Sequence, residues 1–297
     1  MRDSPGRVSP GGVSPGRASP IGVFDSGVGG LTVLKALAAE LPHEHFVYLG
    51  DTARLPYGTK SPGTVARYAL QAAEALAEYG VKCLVIACNT ASSVGLPAIR
   101  ERIEGVPIIG VIEPGAAAAC AASRSGHIAV VATEGTVRGG AYQEAILRRR
   151  DDARVTAQAA QLFVALAEEG LFQGPIADSV ARHYLDPLFQ MHRADSPRAG
   201  ARDAASRPDT LVLGCTHFPM LADAIRAAVG PDVSVVDSAA TTAKSVRETL
   251  DRQGLTRKAG EGTARFLATD SIERFARIGS RFLGRPIAPE EVALVDL

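Results

Sequence analysis

The sequence lacks the features that would place it in several large classes of protein. Its 32 basic residues are balanced by 32 acidic residues, so no overall field favours nucleic acid, a membrane surface or a polyanion. No apolar run approaches the roughly 18 residues of a membrane-spanning helix, and the N-terminus lacks the continuous apolar stretch of a secretory signal. We therefore expect a globular, cytoplasmic protein that binds neither nucleic acid nor membranes.

Cysteine is scarce and follows no metal-binding pattern. The four cysteines, at positions 83, 88, 120 and 215, form no C-x-x-C pair and no His/Cys cluster at zinc-finger spacing. A chain of 297 residues with 46% hydrophobic residues builds a full core without disulfides, so free thiols are expected. Cys83 and Cys120 fall inside a predicted strand and helix, where cysteine behaves as a small buried residue.

Composition divides the chain into predicted domains and peripheral segments. Residues 1–20 repeat Ser-Pro-Gly motifs with a period of five, which predicts a disordered arm, and the small polar residues at 193–208 predict a surface loop. Elsewhere strands alternate with helices, as is typical of parallel sheets with helices on both faces. The pattern restarts midway, which predicts two pseudo-symmetric, doubly wound α/β domains. The first comprises residues 21–113 plus 238–297, and the second comprises residues 114–237.

Two segments of the chain nearly repeat each other. Residues 84–90 and 211–217 are each an apolar run of strand length that ends in a cysteine, Cys88 or Cys215, followed by hydrogen-bonding residues. Because a duplicated α/β unit presents equivalent strand ends to one another, we expect the two thiols to meet across a cleft. Two thiols facing one carbon from opposite sides can remove a proton from one face and return it on the other.

The ends of these strands are where ligand chemistry is expected. In doubly wound sheets, ligands bind beyond the carboxyl ends of the strands, near the helix N-termini, which can hold a carboxylate and favour a thiolate. A free cysteine has a pKa of about 8.5, so a modest depression makes one thiol a base while the other stays protonated. Asp25 and His217 follow strand ends and are candidates to hold or relay that proton.

Several longer motifs, in a fixed order along the chain, indicate a family. They are residues 22–31 (GVFDSGVGGL), 48–58 (YLGDTARLPYG), 87–92 (ACNTAS), 110–115 (GVIEPG), 133–137 (TEGTV) and 215–219 (CTHFP), with Asp237 and Ser238 downstream. In these motifs the chain resembles the cofactor-independent glutamate racemases of the aspartate/glutamate racemase superfamily, over about residues 21–285.

The resemblance implies an enzyme that interconverts L- and D-glutamate without pyridoxal phosphate or metal and supplies D-glutamate for bacterial peptidoglycan. It assigns acid and base roles to the two thiols, with Cys88 acting on the D enantiomer and Cys215 on the L enantiomer. It makes Asp25 and His217 assistants of the thiols.

The resemblance also implies auxiliary and substrate-binding positions. Asp51 and Glu168 match acidic positions implicated as auxiliary. The substrate-binding positions are Asp25, Ser26, Tyr57, Gly58, Asn89, Thr90, Thr136, Thr216 and His217.

The chain departs from the family pattern in one segment. Where the family has Cys-Pro-Leu-Phe-Val-Pro, residues 160–165 read Ala-Gln-Leu-Phe-Val-Ala, which leaves the role of Glu168 open. Two other functions stay open. An aspartate racemase would typically carry Thr-Glu after the second cysteine, and His217 favours glutamate instead. A non-catalytic amino-acid-binding homologue is the other alternative, and the two intact thiols argue against it. A homodimer is a possible assembly.

Overall fold

The computed structural model describes residues 15–189 and 207–297. The strands in these ranges are β1 (Ile21–Asp25), β2 (His45–Gly50), β3 (Cys83–Ile86), β4 (Ile108–Gly110), β5 (His127–Ala132), β6 (Arg154–Ala159), β7 (Thr210–Gly214), β8 (Ser234–Asp237), β9 (Thr263–Ala268) and β10 (Val292–Leu294). The α-helices are α1 (Leu31–Glu40), α2 (Pro62–Ala77), α3 (Asn89–Val94), α4 (Leu96–Arg102), α5 (Ile112–Ala122), α6 (Glu134–Gly139), α7 (Ala141–Arg149), α8 (Leu162–Glu169), α9 (Pro175–Phe189), α10 (Ala222–Val229), α11 (Ser238–Arg252) and α12 (Ile272–Leu283).

The described strands form two sheets, and every pairing between them is parallel. The first sheet has the order β10-β9-β2-β1-β3-β4, and the second has the order β6-β5-β7-β8. The run β2-β1-β3-β4 in the first sheet repeats the strand order of the whole second sheet. The prediction of two parallel-sheet α/β regions is confirmed, and the two cysteine segments follow equivalent strands, β3 and β7.

Buried apolar residues cover both faces of the first sheet. All residues of β1 are buried, and Val23 contributes to one core cluster while the next residue, Phe24, contributes to the other. Successive side chains of a strand point to opposite faces, so a strand buried on both faces reads as a continuous apolar run. The first cluster continues into the second sheet through residues such as Ile128 and Leu211, which joins the two regions.

Some element boundaries differ from the sequence-based predictions. The sequence predicts one helix over residues 138–149 and a strand over residues 108–112. Two helices, α6 and α7, replace the single helix, because Gly140 between them has a positive φ of 69°. Ile112 begins α5 instead of ending the strand, and the sequence does not predict β10.

The end of the predicted N-terminal arm packs against the body of the protein. The buried Lys82 ammonium pairs with Glu44 at 2.5 Å and donates hydrogen bonds to the carbonyl oxygens of Arg17 and Leu255 at 2.7 and 2.9 Å. Residues 1–14 of the arm, and the predicted loop up to residue 206, lie outside the described residues. The domain boundaries stay a prediction, since α11 packs against both α1 and α5.

Across residues 15–189 and 207–297, no helix combines the length and the apolar character that a membrane crossing requires.

Candidate active site

Both strand-end cysteines lie where a strand passes into a helix or turn. Cys88 is the N-cap of α3, and its sulfur accepts a hydrogen bond from the backbone N–H of Ala91 at 3.4 Å. Cys215 directly follows β7, and its carbonyl oxygen accepts from the N–H of Phe218, where a short 3-10 helix begins. The parallel strand order of each sheet thus brings both thiols to carboxyl ends of strands, as the sequence predicted.

One cavity is lined by both cysteines. The predicted site residues that line it are Ser26, Tyr57, Gly58, Cys88, Asn89, Thr90, Glu168, Cys215, Thr216 and His217. Three other predicted site residues, Asp25, Asp51 and Thr136, are buried and do not line the cavity.

The environment of Cys88 favours its protonated thiol. Burial and the nearby Asp25 carboxylate raise the pKa of Cys88 to about 12, although hydrogen bonds from Ser26 and Ala91 oppose this increase. The sulfur and the Ser26 hydroxyl are 3.5 Å apart. Cys88 therefore carries its proton at neutral pH.

Cys215 lies at the inner end of a series of side-chain contacts that includes three ionisable residues. Its sulfur is 3.8 Å from Nδ1 of His217, whose Nε2 is 3.3 Å from a carboxylate oxygen of Glu168. Arg274, on α12, donates to the other oxygen of Glu168 at 3.0 Å. This chain of contacts, Cys215 to His217 to Glu168 to Arg274, runs from the cavity to the protein surface.

The charge of His217 follows from these contacts. Burial by itself lowers the pKa of His217, but hydrogen bonds to Cys215 and Glu168 and the charge of Asp25 outweigh burial and raise it to about 10. The hydrogen bond to His217 lowers the pKa of Glu168, although burial opposes this shift. At neutral pH the pair is an imidazolium and a carboxylate. The contact also gives Glu168 a position in the site despite the altered segment before it.

Asp25 lies under the cavity wall, between the surroundings of the two thiols. One oxygen accepts from the N–H of Gly27 at 3.0 Å, and the other is buried without a hydrogen-bond partner among the described residues. Burial raises the pKa of Asp25, while the charge of His217 and backbone N–H groups oppose that increase. The turn after Asp25 packs closely against the segment after Cys215. This packing requires glycine at position 29, since a Cβ there would clash with Thr216 and lie 2.5 Å from the His217 ring.

Asp51 acts on the cavity through Tyr57. Its carboxylate is fully buried and accepts hydrogen bonds from the Tyr57 hydroxyl, from Nε of Arg54 at 2.6 Å and from the Thr269 hydroxyl at 3.0 Å. Arg54 and Tyr57 belong to the same loop as Asp51, between β2 and α2, whereas Thr269 follows β9 and joins this loop to the sheet. Asp51 is therefore placed to position Tyr57 rather than to contact a substrate.

A cluster of hydroxyl groups forms another part of the wall. The hydroxyl oxygens of Thr90, Thr133 and Thr136 lie 2.9–3.1 Å from one another, with Thr136 behind the other two. The backbone of Gly58 approaches this cluster so closely that a Cβ there would lie 2.8 Å from Cβ of Thr133. Asn89 adds a buried Nδ2 without a partner in the described residues, while its Oδ1 accepts from the Tyr142 hydroxyl at 2.8 Å.

Thr133, which follows β5, lies at one of the strand ends where the sequence predicts ligand binding, and it lines the cavity. Gln161 and Val164 also line the cavity, but the sequence analysis gave them no role. They follow β6, so each lies beyond a strand end in the same way as the cysteines. That placement was available from the sequence once β5 and β6 were assigned. Gly27, Leu55 and Pro56 also line the cavity.

No group of three or more His, Cys, Asp or Glu side chains among the described residues is arranged to hold a metal ion.

Comparison with known proteins assigns this fold and site to a class. Residues 21–246 match the family described as Asp/Glu/Hydantoin racemase. The match covers more than half of the chain, and the chain belongs to this racemase family.

Within the family, the chain is similar to several glutamate racemases. A glutamate racemase of Geobacter metallireducens is 47% identical over 89% of this chain and 92% of its own length. The structure of a glutamate racemase isoform from Bacillus anthracis superposes with a TM-score of 0.84, at 35% identity over 95% of this chain and 98% of that chain. A glutamate racemase from Francisella tularensis in complex with D-glutamate gives a TM-score of 0.83, at 32% identity over 94% and 98%.

Aspartate racemases are more distant. One from Picrophilus torridus is 17% identical, with a TM-score of 0.52, and shares the fold.

Proposed function

We propose that this chain is a glutamate racemase that interconverts L- and D-glutamate by proton transfer between Cys88, the substrate and Cys215. The observation that carries the proposal is the placement of the two thiols. They lie at equivalent strand ends, because the run β2-β1-β3-β4 of the first sheet repeats the strand order of the second, and they line one cavity. The glutamate racemases among the relatives support the choice of substrate.

The reaction moves one proton onto the α-carbon and one proton off it. In the L-to-D direction, the Cys215 thiolate takes the α-proton while the Cys88 thiol gives its proton to the opposite face. The enzyme is then left with a Cys88 thiolate and a Cys215 thiol, which is the arrangement that the D-to-L direction requires. The assignment of each thiol to an enantiomer rests on the family resemblance.

The surroundings of the two thiols suit the first of these directions. Cys88 keeps its proton because burial and Asp25 raise its pKa, whereas Cys215 faces a cationic His217. One proton shared by two thiols is the state in which one can act as base and the other as acid.

Binding of the substrate uses hydroxyl, amide and backbone donors. Glutamate brings two carboxylates and one ammonium group, and the cavity offers the Ser26 hydroxyl, Nδ2 of Asn89, the threonine cluster and the backbone at Gly58. The unpartnered oxygen of Asp25 offers the ammonium group a negative charge behind the wall.

The same donors assist the chemical step. Removal of the α-proton places further negative charge on the α-carboxylate, so donors aimed at that group strengthen in the transition state. Asn89 and Thr216 directly follow the two cysteines in sequence and line the cavity beside them, which suits them to this part of the substrate.

The proposal extends to the setting of the enzyme. Its product D-glutamate serves peptidoglycan synthesis, and the reaction takes place in the cytoplasm. A homodimer stays a prediction, which light scattering on the purified protein would check.

The test is incubation of the purified protein with L-glutamate, and separately with L-aspartate, in D2O without pyridoxal phosphate. We expect the circular dichroism of glutamate to decay as deuterium enters its α-position, and aspartate to stay unchanged. Deuterium in aspartate alone would identify an aspartate racemase. Glutamate binding by calorimetry without any exchange would identify a non-catalytic binding protein.

A further inference from the structure

Gln161 is a polar residue of the cavity wall for which the family pattern provides no role. It follows β6, after Ala160, whose N–H still donates to the carbonyl oxygen of Ala132 in β5 at 2.9 Å. The residue therefore lies on the rim of strand ends that carries the cysteines, and it lines the same cavity. The family pattern has a proline at this position, which has no side-chain donor or acceptor.

The carboxamide of Gln161 lacks a protein partner. Its Oε1 is buried and accepts no hydrogen bond from the described residues, and the side chain does not cap α8, although Gln161 is the N-cap residue. A buried polar group that stays unpaired destabilises the folded protein, so such a group in a ligand cavity is a candidate to bind the ligand. A half-turn of the carboxamide exchanges its oxygen and nitrogen, so either can face the cavity.

The strand order indicates which end of the substrate Gln161 can reach. The second sheet runs β6-β5-β7, so the end of β6 lies two strand spacings, roughly 9–10 Å, from the end of β7 that carries Cys215. The α-carbon must lie against Cys215, and its carboxylate and ammonium group lie next to it. A glutamine at that separation can instead meet the far end of the substrate side chain.

The end of β5, the strand next to β6, also indicates that Gln161 faces the substrate side chain. Ala159 of β6 is in register with Ala132 of β5, which places Gln161 beside Thr133 and the threonine cluster. That part of the wall, with the backbone of Gly58, holds donors and lacks a basic side chain. It suits a carboxylate that is bound by several neutral donors.

We propose that Gln161 is a substrate-binding residue that donates from its Nε2 group to the side-chain carboxylate of glutamate. The inference rests on the proposed function. It also makes Gln161 a determinant of selectivity for the length of the substrate side chain. The aspartate carboxylate is one methylene closer to the α-carbon and does not reach the amide.

The test compares three substitutions at this position. Gln161→Ala and the isosteric Gln161→Met remove the donor, and we expect KM for both enantiomers to rise about tenfold, since hydrogen bonds to charged groups are the stronger ones. Gln161→Glu places a negative charge against the carboxylate, and we expect a KM at least tenfold above that of the alanine variant. Lowering the pH should reduce this excess as the new carboxyl takes up a proton.

A matched control comes from the same strand. Gln158 lies on β6 three residues earlier, does not line the cavity, and donates to the carbonyl oxygen of Ala159 at 2.9 Å. Gln158→Ala and Gln158→Glu should leave KM within twofold of the wild-type value. Norvaline, which has the side-chain length of glutamate without its carboxylate, should inhibit wild type and Gln161→Ala equally as a competitor.

The outcomes separate this inference from the proposed function. If wild type racemises glutamate and the Gln161 variants keep its KM, the inference is overturned and the proposed function stands. A lower KM in Gln161→Glu would mean that the residue accepts from the ammonium group, which also overturns the inference. If wild type exchanges no α-proton of glutamate, both proposals fail together.

Discussion

Two chemically identical side chains, Cys88 and Cys215, differ because of their nearest charged neighbours. Asp25 and burial hold the proton on Cys88, whereas Cys215 contacts the imidazolium of His217. The sequence predicted both cysteines and both of these neighbours. It did not predict that Glu168 contacts His217, since the two are separated by 49 residues and meet through packing of α8 against the turn after β7.

Replacement of either cysteine by serine tests the proposed pair. A serine hydroxyl is a much weaker acid than a thiol, so Cys88→Ser and Cys215→Ser should each lower kcat by about 10²–10⁴-fold, the typical contribution of an acid or base group. Circular dichroism should show an intact fold. The half-buried Cys120, which does not line the cavity, supplies the control variant Cys120→Ser with wild-type turnover. Substantial activity in either test variant would reject the two-thiol mechanism.

The raised pKa of His217 predicts a pH-dependent contribution to stability. Its folded pKa of about 10 lies above the ordinary value of 6.5, so protonated His217 stabilises the fold fully below about pH 6.5. This contribution is lost progressively as the pH rises towards 10. The difference in free energy of unfolding between wild type and His217→Gln, from urea titrations, should therefore shrink between pH 6 and pH 10. A difference that grows with pH would contradict the assigned charge.

Removal of the Glu168 carboxylate should change the titration of His217. In Glu168→Gln the imidazolium loses its anionic partner, so the pKa of His217 should fall, which ¹⁵N NMR of labelled histidine would detect directly. Arg274→Gln serves as a comparison, because Arg274 contacts Glu168 and not the histidine. Because removal of a nearby cation does not disfavour an imidazolium, we expect no decrease of the His217 pKa in that variant. An unchanged His217 titration in Glu168→Gln would show that the contact does not set the charge.

Among the elements, the loop between β2 and α2 shows how a buried charge positions a wall of the cavity. Asp51 accepts from three side chains, Tyr57 among them, and burial and Asp51 raise the pKa of Tyr57, so the phenol stays protonated. The sequence indicated a role for Asp51 without its partners. Two of those partners, Arg54 and Tyr57, are close in the chain, but Thr269 arrives from the far end of β9.

Asp51→Asn should therefore affect binding and stability more than the chemical step. The amide keeps one acceptor and turns an NH2 group towards a donor, which costs about 1–3 kcal/mol for a buried unsatisfied group. We expect a lower Tm and a several-fold increase in KM, with kcat far closer to wild type than in the cysteine variants. Steady-state kinetics and thermal melts measure both effects. A loss of kcat as large as that of Cys88→Ser would assign Asp51 a direct role in proton transfer.

The type of most elements could be predicted from the sequence, and their boundaries less well. Continuous apolar runs fixed β1, β3, β5 and β7, because strands buried on both faces leave that pattern. The short edge strand β10 is partly exposed and lacks the pattern. The break between α6 and α7 depends on the φ of Gly140, which the apolar periodicity does not report.

At the scale of the whole molecule, a buried ion pair joins distant parts of the chain. Lys82 and Glu44 are both inaccessible to solvent, and Lys82 also holds the carbonyl oxygens of Arg17 and Leu255. Lys82 lies just before β3, at the opposite end of that strand from Cys88. The pair therefore contributes to the fold at a distance from the cavity.

Lys82→Met should destabilise the protein strongly and leave its chemistry intact. It leaves the Glu44 carboxylate buried and unpaired, which typically costs about 3–5 kcal/mol of unfolding free energy. The double variant Lys82→Met/Glu44→Gln should recover part of that loss, and kcat at low temperature should stay near wild type. Arg138→Ala, which removes an exposed pair with Glu134, should cost about 1 kcal/mol or less. Equal losses in the buried and exposed variants would contradict this account.

The repeated strand order of the two sheets has a consequence for energetics. Mirror-image amino acids have the same free energy in water, so a catalyst that interconverts them must have equal values of kcat/KM in the two directions. The two thiols lie at similar strand ends but have different electrostatic surroundings. This difference can make KM unequal for the two enantiomers only if kcat differs by the same factor. If the cationic His217 lowers KM for one enantiomer, kcat for that enantiomer must be lower by the same factor.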